Sequence, residues 1–173
     1  MPNIERPRVT VFIPVYNRKQ YIGPAIESIL SQSFSDFELL LVDDGSTDGS
    51  IQTMRAYPDP RVRIVRNKHN IGIPKTRNRG LQLARGEYIA LLDSDDRAVA
   101  NRLLLQTQYL DQNPTVVQVG GWTQAIDRRG RLLDKRKRQP VRPADIDAEL
   151  LFRCCLSNTT IKARTNTLKH YRY

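Results

Sequence analysis

The sequence predicts an α/β protein built on a doubly wound, mostly parallel sheet. Apolar runs at residues 8–14, 37–42 and 87–92 have the length and composition of strands that are buried on both faces. Each run is followed by a segment with apolar residues at helical spacing, and strict alternation of strands with single helices favours parallel pairing. The 173 residues, 39% hydrophobic and 27% charged, are enough for one globular domain with a substantial core.

In the first half of the chain, polar loops with glycine or proline separate the expected elements. Pro14 closes the first strand, and Pro74 suits the first turn of a helix. The expected order is a strand at 8–14, a helix at 21–30, a strand at 37–42, a helix at 50–56, a strand at 62–65, a helix at 74–84 and the central strand at 87–92.

In the second half the alternation continues briefly and then changes. The longest helix is expected at 98–111, followed by a strand at 116–119. After Trp122, two short segments joined by residues 127–130 are typical of an antiparallel hairpin. The remaining expected elements are hairpin strands at 123–126 and 131–134, a short helix at 145–152 and a last strand at 158–162.

The composition argues against several classes of protein. No apolar run approaches the roughly 20 residues that span a membrane, and the first residues lack the apolar core of a signal peptide. Cys154 and Cys155 are adjacent, so they form no disulfide framework, and no histidine lies at zinc spacing from them. We interpret them as buried or idle thiols in a reducing cytoplasm.

The chain carries a net charge of +10, and its cations are densest in one stretch. Such a stretch binds nucleic acid, anionic lipid headgroups or polyanionic substrates, or is a solvated hairpin that only keeps the protein soluble. No nucleic-acid-binding module is recognisable, which makes nucleic acid an unlikely partner. The cations of this stretch are Arg128, Arg129, Arg131, Lys135, Arg136, Lys137 and Arg138.

The central strand ends in three carboxylates within four positions, Asp93, Asp95 and Asp96. Crowded carboxylates repel one another unless a cation lies among them, and ligands of open parallel sheets bind beyond the carboxyl ends of strands. The pattern therefore indicates a strand followed by a metal site. The alternative is that Asp93 and Asp95 cap the next helix, where such residues accept free N–H groups.

Polar residues follow two further strands, at 14–17 and at 43–46, and in a parallel sheet these ends share one edge with residues 93–95. A tyrosine offers a flat face to a base, an aspartate accepts from a pyrimidine N–H, and a Gly-Ser turn lets backbone approach a ligand. Together with a metal ion, these groups describe a site for a nucleoside diphosphate. Individually, Tyr16 could serve packing, and residues 43–45 could form only a turn.

The sequence resembles the family 2 glycosyltransferases with the GT-A fold. The resemblance is strong over residues 8–122 and weaker as far as residue 162. It implies a single GT-A domain over residues 1–173, with a nucleotide-sugar-binding half at 8–122 and an incomplete acceptor-side half at 123–173. The matching segments are 11–17, 31–34, 38–46, 70–72, 77–80 and 86–96.

The resemblance also implies roles for individual residues. Tyr16 and the Pro14 backbone would meet the base, Asp44 would pair with the base N–H, and Asp95 would be the direct ligand of Mn²⁺ or Mg²⁺, assisted by Asp93. The residues implied in nucleotide binding are Pro14, Tyr16, Asn17, Asp44, Arg77, Asp93 and Ser94.

The implied reaction is an inverting, metal-dependent transfer from a nucleotide-diphosphate sugar, most readily a UDP-sugar. The acceptor would be a glycan, a lipid-linked acceptor or a polysaccharide under synthesis. We expect a cytoplasmic protein that could lie at the inner face of the membrane, with residues 128–138 against anionic headgroups.

The chain departs from the family in one respect. Family members usually carry an acidic pair, including the general base, after a segment that resembles residues 158–173. No such pair follows Asp95, and residues 145–149 fit a solvated helix face better. We therefore expect the general base beyond Tyr173 and a truncated enzyme. The alternative is a non-catalytic module that binds a nucleotide sugar.

Overall fold

The computed structural model describes residues 6–170, and its strands and helices alternate as predicted through the first half of the chain. In that half the elements are β1 (Val9–Val15), α1 (Ile22–Leu30), β2 (Phe37–Asp43), α2 (Ser50–Arg55), β3 (Val62–Arg66), α3 (Ile73–Leu83), β4 (Tyr88–Leu91) and α4 (Arg102–Gln112). The later elements are β5 (Gln118–Val119), β6 (Thr123–Ile126), β7 (Leu132–Lys137), α5 (Pro143–Leu150), a 3₁₀ helix (Asn158–Thr160), β8 (Lys162–Arg164) and α6 (Thr165–His170).

Six strands form one sheet in the order β3-β2-β1-β4-β8-β5. The first four are parallel, whereas β8 is antiparallel to both of its neighbours. This confirms the predicted mostly parallel sheet and adds one reversed strand. Because β1 pairs with β2 on one side and with β4 on the other, the order of the strands reverses at β1, where open α/β sheets bind ligands.

The core lies on both faces of this sheet, which is why its central strands read as apolar runs. Every residue of β1, β2 and β4 is buried. On one face Val11 and Ile13 pack with Ile26 of α1, and on the other Phe12 packs with Leu81 of α3. Alternate residues of β1 thus enter opposite layers, as expected for a doubly wound sheet.

The predicted start of the fourth helix is wrong by four residues. The helix begins at Arg102 because tertiary hydrogen bonds hold the preceding residues in a non-helical conformation. The side chain of Gln32 donates to the carbonyl of Val99 (2.7 Å) and accepts from the amide of Leu103 (3.0 Å). The amide of Ser33 donates to the carbonyl of Ala100 at 2.9 Å. Contacts with the residues that follow α1 therefore override the helical propensity of this segment.

The last predicted strand is also wrong in its position. Residues 158–160 form a 3₁₀ turn, and β8 begins at Lys162. The reason is Thr160, whose amide and hydroxyl both donate to the carbonyl of Ser157, at 2.9 and 2.8 Å. The strand predicted at 116–119 is reduced to β5, because the amide of Val116 turns back to the carbonyl of Asn113 (3.0 Å).

The predicted hairpin is confirmed as a separate two-stranded sheet of β6 and β7, with Thr123 opposite Lys137. Every residue of β7 is exposed. Cys154 is exposed and Cys155 is buried, and both are free thiols. Across residues 6–170, no helix has the length and apolar character that a membrane crossing needs.

Candidate functional site

A cavity of about 200 Å³ lies at the carboxyl ends of β1 and β2, where the order of the strands reverses. Four of the residues predicted to bind a nucleotide line it, namely Pro14, Tyr16, Asp44 and Ser94. The other lining residues are Val15, Arg18, Asn70, Ile73 and Thr76. The topology therefore brings together side chains that are up to 80 positions apart in the sequence.

Tyr16 is the aromatic side chain of this cavity. Its side chain is 44% exposed, so the ring is not buried in the core. A half-exposed ring at the mouth of a cavity offers one face to a planar ligand.

Asn17 connects the loop after β1 to the loop after β2. Its amide N–H donates to the hydroxyl of Ser46 and its side-chain oxygen accepts from the amide of Thr47, both at 3.0 Å. Its φ of 51° is left-handed, a conformation that asparagine adopts more readily than most residues. Asn17 borders a neighbouring cavity and holds the two loops together.

Asp44 is buried and organises one wall of the cavity. Its Oδ1 accepts from the side chain of Asn67 (2.6 Å) and from the amide of Ile71 (2.9 Å), and its Oδ2 accepts from the amide of Gly72 (3.0 Å). A carboxylate has about four lone-pair positions, so Oδ2 retains one for a further donor. Asp44 thereby fixes the loop that carries Asn70 and Ile73 into the cavity.

Asp43 is fully buried directly before Asp44, and its charge is paired. Its Oδ2 lies 3.0 Å from Nε of Arg66, and its Oδ1 accepts from the amide of Ser46 at 3.2 Å. The carboxylate thus shapes the turn that follows β2.

The acidic segment after β4 forms a tight turn in which the amide of Asp96 donates to the carbonyl of Asp93 at 3.1 Å. No helix begins directly after these carboxylates, since α4 starts at Arg102 and its N-cap residue is Asn101. The alternative that Asp93 and Asp95 cap a helix is therefore wrong.

Two arginines face these carboxylates. Nη2 of Arg77 donates to Oδ1 of Asp93 at 3.3 Å, and Nε of Arg18 lies 3.8 Å from Oδ2 of Asp95. The Asp95 side chain is 51% exposed, so this second ion pair is weak. Because Arg18 also lines the cavity, Asp95 lies close to the cavity wall.

The crowding of carboxylates is visible at Asp96. Burial raises the pKa of its carboxyl group, a hydrogen bond with Thr159 opposes that rise, and the charges of Asp93 and Asp95 raise the pKa further. The segment thus concentrates negative charge, which a cation would relieve.

No group of three or more histidine, cysteine, aspartate or glutamate side chains is arranged around a common point within residues 6–170. Magnesium is commonly bound by one or two carboxylates together with substrate phosphates rather than by a complete protein cage. The exposed oxygens of Asp95 and the adjacent Asp93 fit that mode of binding a hard divalent cation.

Sequence reasoning missed several residues of the site. Arg18 and Thr76 line the cavity, although neither belongs to a polar cluster at a strand end. The hydroxyl of Thr159 accepts from the amide of Asp93 at 3.1 Å. Its 66-residue separation from Asp93 left no local signal. Among these missed residues, only those of segment 70–72 gave a signal in the sequence. The segment matched the family, but no role was assigned to it.

Comparison with known proteins places the chain in a family. Residues 10–168 match the profile of glycosyl transferase family 2. An uncharacterised glycosyltransferase of Methanocaldococcus jannaschii is 28% identical over 98% of this chain and 60% of its own length. One from Haemophilus influenzae is 39% identical over 67% of this chain and 47% of its own length.

Among solved structures, residues 1–349 of S. aureus TarS, in complex with UDP-GlcNAc, superpose with a TM-score of 0.73 at 25% identity. The superposition covers 94% of this chain and 47% of that one. The chain therefore spans about half the length of the proteins that it matches. The GT-A architecture and the family match agree, and this chain belongs to glycosyl transferase family 2.

Proposed function

We propose that this chain binds a UDP-linked sugar in the cavity at the carboxyl ends of β1, β2 and β4. It transfers the sugar with inversion to a glycan, a lipid-linked acceptor or a growing polysaccharide. The observation that carries the proposal is the convergence of Pro14, Tyr16, Asp44 and Ser94 on one cavity at the reversal of strand order. The complex of TarS with UDP-GlcNAc supports a uridine donor.

The donor base would lie against Tyr16. The ring of Tyr16 is half-exposed at the cavity, and the remaining acceptor position on Oδ2 of Asp44 suits a pyrimidine N–H. The other three acceptor positions of Asp44 are already filled, so the carboxylate is held in place before the ligand arrives. Such preorganisation lowers the entropic cost of binding.

The diphosphate would lie near Asp93 and Asp95, the residues that would hold a divalent cation. Asp95 would ligate Mn²⁺ or Mg²⁺ directly and Asp93 would assist. When bound, a divalent cation would neutralise the negative charge that develops on the departing diphosphate. Arg18 and Arg77, which lie 3.8 and 3.3 Å from Asp95 and Asp93, add positive charge beside that position.

Inversion requires the acceptor hydroxyl to attack in line while a carboxylate takes its proton. We assign the role of this base to none of the carboxylates among the described residues. Asp145 and Glu149 of α5 form surface ion pairs with Arg142 and Arg153, at 2.8 and 2.7 Å, so these carboxylates are engaged away from the cavity.

Thermal unfolding with UDP, GDP and CDP, each with and without Mn²⁺, tests the donor site. A ligand that binds only the folded chain adds about 2.7 kcal/mol of stability at a hundredfold excess over its Kd. We expect UDP to raise the midpoint only when Mn²⁺ is present, and Asp95→Asn to remove this response. Asp147→Asn, which removes an exposed carboxylate of α5, is the matched control and should respond as the wild type does.

Two outcomes would overturn the proposal. One is the absence of a shift with any nucleotide, and the other is a full Mn²⁺-dependent shift in Asp95→Asn. A larger shift with GDP than with UDP would keep the site and change the donor.

A further inference from the structure

The sheet places an exposed aromatic side chain beside the donor site, on the side where β5 ends. Ala90 of β4 and Val119 of β5 both pair with Lys162 of β8, so the two parallel strands end at the same height. Asp93 lies three residues after Ala90, and Trp122 lies three residues after Val119. Two strand spacings, about 10 Å, separate β4 from β5.

Two consecutive threonines fix this relation. The hydroxyl of Thr159 accepts from the amide of Asp93, and the hydroxyl of Thr160 accepts from the amide of Gly121, both at 3.1 Å. The backbone directly before Trp122 and the backbone of the acidic turn are therefore attached to neighbouring residues of one 3₁₀ helix.

The indole of Trp122 is oriented but not buried. Its Nε1 donates to the carbonyl of Gln139 at 3.0 Å, and the side chain of Gln139 donates to the hydroxyl of Ser157 at 3.0 Å. The residue is nevertheless 57% exposed. A ring that is held in place and open to solvent presents a binding face at low entropic cost, because little side-chain freedom remains to be lost.

A positive charge lies beside this ring. The guanidinium carbon of Arg138 lies 5.4 Å from the centroid of the ring. None of the ion pairs among residues 6–170 involves Lys135, Arg136, Lys137 or Arg138, and all four are exposed. Uncompensated cations at one end of the hairpin attract an anionic ligand.

We propose that Trp122 and Arg138 form the acceptor subsite, which takes a sugar ring bearing a nearby phosphate or carboxylate. The negative face of an aromatic ring attracts the positively polarised C–H bonds on the flat side of a pyranose. Arg138 would bind the anionic group, for which its planar fork of donors is suited. The inference rests on the proposed function, because it places the acceptor beside the donor at Asp93. A lipid surface would need neither an oriented indole nor its position level with the acidic turn.

Trp122 is the only tryptophan of the chain, so its fluorescence reports directly on this subsite. The full chain would be titrated with an oligogalacturonate, a phosphorylated mannan oligosaccharide, a neutral dextran oligosaccharide and inorganic polyphosphate. We expect a saturable change of emission with an acidic oligosaccharide, and the better of the first two probes identifies the anion. Dextran should bind at least about tenfold more weakly, since it lacks a charge-assisted hydrogen bond. Polyphosphate, which has no sugar ring to stack on the indole, should bind the cations with the same affinity in the wild type and in Trp122→Ala.

Substitutions distinguish stacking of the sugar on Trp122 from a general effect of the positive charge of the hairpin. With binding measured by calorimetry, Trp122→Ala should weaken the acidic oligosaccharide about tenfold, and Trp122→Phe should restore most of the loss. Arg138→Gln should weaken it about fivefold, whereas Arg128→Gln, an equal loss of charge at the far end of the hairpin, should change it by less than about twofold. Circular dichroism should show all four variants folded, because the replaced side chains are exposed.

Three results would overturn the inference. They are unchanged affinity in Trp122→Ala, equal effects of Arg138→Gln and Arg128→Gln, and a blue shift of Trp122 on vesicles of phosphatidylglycerol without a response to any oligosaccharide. The last result would identify a membrane surface instead. The UDP response with Mn²⁺, measured in the wild type, distinguishes the two proposals. Its absence would remove the donor site, whereas its presence in a chain that binds no oligosaccharide would remove only the acceptor subsite.

Discussion

The donor side of the molecule and the β6–β7 hairpin carry their polar groups in opposite ways. On the donor side, the site residues follow strands whose every residue is buried, and side chains such as Asn17 and Asp44 already have internal partners. On the hairpin, all of β7 is exposed, and Arg136 and Lys137 have no ion pair within residues 6–170.

This difference separates two kinds of sequence constraint. A donor-side residue serves the fold and the ligand at once, so a substitution there changes both stability and binding. A hairpin residue contributes little to the fold, so its charge is free to serve recognition. Substitutions in the two regions should therefore differ in their effects on stability and on binding.

The largest expected effect concerns Lys162 of β8, a cation inside the six-stranded sheet. Its side chain is fully buried and donates to Thr107 and to the carbonyl of Leu103. Burial, and after it the positive charge of Arg102, lower its pKa from 10.5 to about 7. The other charges that act on it are those of Asp111, Arg8 and Glu87.

Between pH 7 and pH 10.5 the unfolded chain binds the Lys162 proton and the folded chain has lost it, so stability rises with pH across this window. Relative to Lys162→Met, the wild type should gain up to about 4 kcal/mol between pH 6 and pH 10. Urea unfolding at both pH values measures the difference. Leu133→Ala, outside the six-stranded sheet, should follow the wild type. Parallel pH profiles for wild type and Lys162→Met would contradict the prediction.

The next effect concerns Gly86, which packs against the backbone of β1. A Cβ at this position would lie 2.4 Å from the amide nitrogen of Thr10 and 2.7 Å from the carbonyl carbon of Val9. Gly86→Ala should therefore cost about 3 kcal/mol of unfolding free energy, because backbone atoms cannot yield as a flexible side chain does. In Gly120→Ala, before the hairpin, the nearest atom lies at 3.6 Å, so the stability should change little. Equal urea midpoints for the two variants would remove the distinction between the regions.

Asp44→Asn should cost about 2 kcal/mol, because one carboxylate oxygen becomes an NH₂ group facing a buried N–H donor. The same variant should lose the thermal response to UDP. Asp134→Asn, an equal change of charge on exposed β7, is the control and should unfold at the wild-type urea concentration. If Asp44→Asn kept wild-type stability, the three hydrogen bonds would not be essential to the loop.

The smallest effect on stability is expected for Arg136→Gln. Arg136 is exposed on β7 and forms no ion pair within the described chain, so the unfolding free energy should stay within about 0.5 kcal/mol of the wild type. Differential scanning calorimetry would detect a larger loss, which would mean that the hairpin is part of the cooperative core.

Much of the fold was predictable because local pattern and tertiary environment agree in the central sheet. β1 and β2 consist mainly of apolar residues because both faces of the sheet are covered. This burial can therefore be recognised from the residue types alone. The start of α4 left no such trace, because Gln32, 67 positions from its partner Val99, decides it. The 3₁₀ turn at Thr160 likewise depends on a hydroxyl that the pattern of residue types does not reveal.

The site was predictable to the extent that it lies at strand ends. Tyr16 and Asp44 directly follow strands, Ser94 lies three residues after β4, and all three were found by that position. Thr76 lies within α3, and Thr159 reaches Asp93 from a distant segment, so only the folded chain identifies them. The roles of Arg77 and Asp95 in ligand binding stay predictions, which the nucleotide titrations address.

The hydroxyl of Thr160 has a consequence for how this protein can diversify. It accepts from the amide of Gly121 and donates to the carbonyl of Ser157, so one side chain joins the two ends of the intervening segment. A loop whose ends are pinned loses little when its length changes, since the entropy of closure grows only with the logarithm of length. Residues 121–157 can therefore change in length at little entropic cost, and all strands of the six-stranded sheet lie outside this segment.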